Sequence, residues 1–146
     1  MKNIITTLPN YLGALMLLAF GVTYFTKDSF MPYHSDAVNQ DWSSIDSSTR
    51  YLILALMRAV SGGFFVSFVA TVSLQFKFRK YKQAWIANII FAIGTIIAAI
   101  IIYATYVVRL HTNGNPPTML AYIGFVLFLT GFLINRRICA IERDRY

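Results

Sequence analysis

The sequence holds one cysteine, six acidic residues and four prolines in 146 positions, and each scarcity excludes something. A single thiol, Cys139, leaves no internal disulfide, no CxxC redox pair and no multi-thiolate metal site within these residues. The prolines, at positions 9, 32, 116 and 117, leave every long apolar run unbroken. Only 13% of the residues are charged against 57% hydrophobic, with a mean hydropathy of +0.56, which is too apolar for an ordinary soluble domain. Few acids also leave a net charge of +7. No zinc-finger, stacking or helix-turn-helix pattern accompanies the basic residues, so the charge argues for membrane orientation and against a nucleic-acid partner. Internal repeats, low-complexity runs and lipidation motifs are absent.

Four long apolar stretches are what is there. About 20 apolar residues in a helix cross the hydrocarbon core. The expected architecture is therefore an all-α integral membrane protein, one domain built as a four-transmembrane-helix bundle. The spans fall at about 9–26, 51–76, 83–108 and 118–135, with outer loops 27–50 and 109–117, a cytoplasmic loop 77–82 and a tail 136–146. Thr6 and Thr7 ahead of Pro9 suit the start of a helix, where proline's missing donor costs nothing. Lys2 before an apolar segment also fits a signal peptide. The residues around Tyr24, Phe25 and Thr26 lack a small-x-small cleavage site, however, and three more spans follow, so this segment is read as a retained span.

Basic side chains set the orientation. Lys2, Lys77, Arg79, Lys80, Lys82, Arg136, Arg137, Arg143 and Arg145 lie on one side, against Lys27, Arg50 and Arg109 on the other. The positive-inside rule then puts both termini in the cytoplasm. Isoleucine-rich, lysine- and asparagine-containing usage points to the cytoplasmic (inner) membrane of a bacterium with an AT-rich coding sequence. Trp42 and Trp85 fall near opposite interfaces, as anchoring belts do.

The second stretch carries the feature most in need of explanation. Arg58 is embedded in it, and a guanidinium there requires a carboxylate, a water-filled cavity or a headgroup. Asp36, Asp41 or Asp46 of the first outer loop are the expected partners of Arg58 or Arg109, and the two arginines are the candidate ligand-binding residues. Ala55, Ala59, Gly63, Ser67 and Thr71 recur at four-residue spacing, so Ala59, Gly63 and Ser67 mark an expected packing face. The third span has a similar row at Asn88, Ala92, Thr95 and Ala99, and the fourth has Gly124 and Gly131 on one face. A short helix is expected near 36–42, capped by Ser35, and Ser47 or Ser48 is expected to cap the second span.

The topology brings His34 and His111 to the same side as Asp36 and Asp41, and these four are the candidate catalytic residues. His34 and Asp36 form HxD, not a metalloprotease HExxH, so no metal site is assigned. Absence of CxxCH and of a cysteine set argues against haem and structural zinc, and the cofactor is left unknown. Arg136 and Arg137 beside Cys139 favour an ionised thiol, but an interfacial thiol is the plainer reading. Three functions fit: an assembly or ligand-binding protein with an outward-facing polar site around Arg58, an enzyme acting on an anionic lipid or lipophilic substrate, and an oligomeric channel or transporter. Membrane lipids, a second copy of the chain or a membrane-protein partner are the expected associates.

Overall fold

Long aliphatic and aromatic runs with no interior proline satisfy all their backbone groups internally when helical, which apolar surroundings demand. A computed structural model describes residues 7–144. Among them lie five α-helices and no strand: α1 (Leu8–Thr26), α2 (Pro32–Val38), α3 (Ser47–Tyr81), α4 (Ala84–His111) and α5 (Thr118–Arg143), with a 3-10 turn at Trp42–Ser44. All except α2 are long and apolar enough to cross a membrane.

The long helices pack in the cyclic order α3, α1, α5, α4, with α1 against α3 and α4 against α5 the more extensive pairs. One end of this arrangement carries the α3–α4 turn and the described ends of the chain. The other, the loop end, carries α2 and residues 112–117. Each helix turns an inner stripe to its neighbours at spacings of three and four, as Met57, Ser61, Phe64, Thr71, Gln75 and Phe78 do on α3. Phe128 of α5 fills the centre, seated in notches where α1 and α4 have Gly13 and Gly94. A methyl on Gly13 would meet its ring at 2.9 Å, and one on Gly94 would overlap it. Leu17, Phe64, Phe78, Ile86 and Ile90 complete the core.

Several helices run past the expected spans. α3 has 35 residues, about 50 Å at about 1.5 Å each, against about 30 Å of hydrocarbon. The expected loop 77–82 is therefore helical through Tyr81, and the tail is helical through Arg143. Hydropathy marks where apolar character stops; lysine and arginine are good helix formers and continue the backbone. The α3–α4 turn reduces to Lys82 and Gln83. Lys82 sits in the left-handed region at φ 48°, held by an ion pair to Glu142 at 2.8 Å and by the Cys139 thiol, which donates to the Lys82 carbonyl at 3.1 Å.

Two caps differ from expectation. Asp46, not Ser47 or Ser48, caps α3: its carboxylate accepts from the Thr49 N–H at 3.0 Å and the Ser48 hydroxyl at 2.6 Å. The short loop helix begins at Pro32, with extended Met31 as its cap, and Ser35 lies inside it, donating to the Gln40 carbonyl at 2.8 Å. The small row on α4 is displaced too. Ile86, Ala87, Ile90, Gly94 and Ala98 are buried, whereas Asn88, Ala92 and Ala99 are exposed.

Candidate functional site

At the loop end, the segment after α1 folds back over the helices. Phe30 and Ile45 are buried, and Trp42 packs edge-on against Phe30 with ring centroids 5.0 Å apart. Arg50 closes this corner by donating from Nε to the Ile45 carbonyl at 2.7 Å and from Nη2 to the Ser43 carbonyl at 2.5 Å. The second loop presses on α2 from outside. A methyl on Gly114 would lie 2.8 Å from the Tyr33 carbonyl oxygen and 2.9 Å from Ala37, so only glycine permits this approach.

Beneath α2 runs a groove of about 360 Å³, lined by Tyr24 of α1, by Phe30, His34, Ala37 and Val38, and by Ile53, Leu56, Met57 and Val60 of α3. Its polar atoms are few. The Tyr24 and Tyr33 hydroxyls share a hydrogen bond of 2.7 Å. Burial and that bond raise the Tyr33 phenol above its usual range. His34 accepts the Met31 N–H at Nδ1, at 3.3 Å, which ties the imidazole into the start of α2. Burial pushes its imidazole below the usual value, favouring the neutral ring.

The other residues singled out in the sequence are dispersed. Arg58 donates to the Leu54 carbonyl at 3.2 Å and makes a long ion pair, 3.7 Å, with Asp28, whose side chain is 95% exposed. The partner is therefore Asp28, at the very start of the loop, in place of Asp36, Asp41 or Asp46. Arg109 donates to the Pro116 carbonyl at 3.1 Å and borders a separate hollow with Tyr103, Tyr106 and Tyr122. The two arginines have separate partners. Asp36, Asp41 and His111 are exposed, and only His34 of the four catalytic candidates lines the groove. Among the described residues, no group of three or more His, Cys, Asp and Glu is placed to hold a metal ion.

The expected packing row on α3 points away from the core. Ala59 and Gly63 are exposed and Ser67 half-buried, and a methyl on Gly62 or Gly63 would meet no atom within 4 Å. The intimate contacts instead surround a buried polar cluster that the sequence reading passed over. Asn10 of α1 and Asn135 of α5 both donate from Nδ2 to Gln75 Oε1 of α3, at 2.8 and 3.1 Å, and all three side chains are fully buried. Thr71 lies one turn along α3, and the Asn10 carboxamide occupies the notch left by Gly131. Asn10 Oδ1, Asn135 Oδ1, Gln75 Nε2 and Thr71 Oγ1 have no hydrogen-bond partner among the described residues. A signal was present: Asn10, Gln75 and Asn135 interrupt otherwise apolar runs at the inner-stripe positions of three different helices. Asn88 on α4 accepts from Arg136 of α5, at 3.4 Å.

No protein-family model matches the chain, and neither a curated protein nor a solved structure matches it.

Proposed function

We propose that this chain is a multi-pass protein of the bacterial cytoplasmic membrane, with both termini inside, that binds a neutral lipophilic molecule in the groove beneath α2. The groove carries the reading. It opens at the loop end of four helices long and apolar enough to cross a membrane, is walled almost wholly by apolar and aromatic side chains, and is roofed by α2, which is held by the close approach of Gly114 and by the Tyr33–Tyr24 hydrogen bond. On this reading Arg58 and Arg109 serve as scaffold. Each spends a donor on a nearby carbonyl, and neither lines the groove.

A ligand that binds only the folded protein raises its unfolding temperature with ligand concentration. Neutral amphiphiles such as long-chain ketones should therefore stabilise the purified protein saturably, and Val60→Trp, which fills the groove at an outward position, should remove the effect. A shift that never saturates, or one that Val60→Trp leaves unchanged, refutes the reading.

A second reading, assembly with another copy of the chain, is favoured by the open face of α3. Ala55, Ala59, Gly62 and Gly63 are all exposed there, and small residues allow close helix approach in lipid. Single-molecule counting of protomers in lipid nanodiscs tests it: a dimer that Gly63→Leu dissociates supports assembly through this face, and a monomer refutes it.

A further inference from the structure

Inside the groove, hydrogen-bonding capacity is confined to His34 and the Tyr24–Tyr33 hydroxyl pair. His34 Nδ1 is occupied as the acceptor of the Met31 N–H, so the neutral imidazole carries its proton on Nε2. Nε2 has no hydrogen-bond partner among the described residues. The Tyr24 and Tyr33 hydroxyls face each other, and no lysine, arginine or acid lines the walls. The paired hydroxyls use one of their two O–H groups on each other, so a guest meets only neutral donors at the α2 end, the imidazole Nε2–H and one phenolic O–H. The rings of Tyr24 and Phe30 are close by, and Ile53, Leu56, Met57 and Val60 continue for two turns, about 10 Å, along α3.

Resting on the groove reading above, we infer that the occupant is a neutral lipid whose polar end is a carbonyl oxygen accepting from His34 Nε2–H, with a flat ring against Phe30 and Tyr24 and an apolar tail along α3. That is the chemistry of a lipophilic quinone. A phospholipid phosphate would enter without a cation to meet it, at a high desolvation cost. A carbonyl needs only to accept from donors that are free, whereas an alcohol must also find an acceptor for its own O–H, and the phenolic oxygens that could serve are already engaged with each other. Aromatic walls favour a flat conjugated head over a bare ester.

Trp42 reports on the site, since its ring lies 5.0 Å from that of Phe30 in the groove wall. In full-length Trp85→Phe protein in nanodiscs, Trp42 is the only tryptophan and is open to quenching by a decyl-substituted benzoquinone. The expected result is saturable quenching, with affinity about fivefold to tenfold weaker in His34→Phe, the range of one net hydrogen bond. His34→Gln, whose amide is able both to accept from Met31 N–H and to donate, should stay within about threefold of the parent and guard against loss of the α2 start. The corresponding quinol, carrying hydroxyls in place of carbonyls, should compete about fivefold less well. If His34→Phe and the quinol both bind as tightly as the parent binds quinone, the carbonyl assignment is overturned and the groove stands. If quenching is linear and Val60→Phe, which fills the groove without adding a second tryptophan, leaves it unchanged, the groove reading falls with it.

Discussion

Replacing Gln75 by methionine removes the acceptor on which two other buried amides converge. Asn10 Nδ2 at 2.8 Å and Asn135 Nδ2 at 3.1 Å would both lose their partner, in a site with no exposure to solvent. Side-chain hydrogen bonds between membrane helices average about 0.6 kcal/mol, and a stranded buried donor costs about 1–3 kcal/mol. Two donors released together put the loss at about 2–6 kcal/mol. Methionine nearly conserves volume, so the packing contribution is small. Converting all three residues, by Asn10→Leu, Gln75→Met and Asn135→Leu, removes donors and acceptors together and should be less damaging than Gln75→Met alone. Reversible unfolding in mixed micelles, titrated with SDS, measures both. A Gln75→Met protein within about 0.5 kcal/mol of the parent, or a triple variant less stable than the single one, would refute the idea that the amides act as one network.

Other outcomes follow from the same contacts. Gly131→Ala would place a methyl on the Asn10 carboxamide and should lower the unfolding midpoint clearly, whereas Gly62→Ala meets open space and should be neutral or stabilising by up to about 1 kcal/mol from helix propensity; SDS titration of the pair checks this. His34 has a folded-state value below its unfolded one, so its contribution is present above about pH 6.5 and is lost as pH falls through the lowered value; His34→Gln should flatten that dependence in melts at pH 5 to 7. Asp46, held below the usual carboxylate range by the Ser48 and Thr49 hydrogen bonds, stabilises the start of α3 above that range and loses its effect as pH falls through the lowered value. The melting difference between Asp46→Ala and the parent should accordingly narrow on acidification.

The four long helices were legible because apolar runs of spanning length have few alternatives to a helix. Their ends were less so, since Lys77, Arg79 and Lys80 stop the hydropathy without stopping the backbone. Spacing alone also does not say whether a small face meets a helix of its own chain or of another. On α3 the small row at Ala55, Ala59 and Gly63 stood out and lies on the exposed side, whereas Met57, Ser61, Phe64, Thr71, Gln75 and Phe78 are the buried positions. Arg58 was visible as a group needing a partner. Which acid supplies it depends on where the loop leaves α1, and that places Asp28 nearest. His34 was visible as a candidate, but its role depends on the Met31 contact and on the seating of α2 against Gly114, which are tertiary facts.

The central claim is that a lipophilic guest occupies the groove beneath α2, and site-resolved photolabelling tests it most directly. A diazirine-bearing decyl quinone, activated in lipid nanodiscs and mapped by peptide mass spectrometry, should label Ala37, Val38, Leu56 and Val60, and unlabelled quinone should displace it. Labelling spread evenly over other exposed apolar positions such as Ile96, Ile100 and Leu133, and insensitive to competitor, would contradict the account.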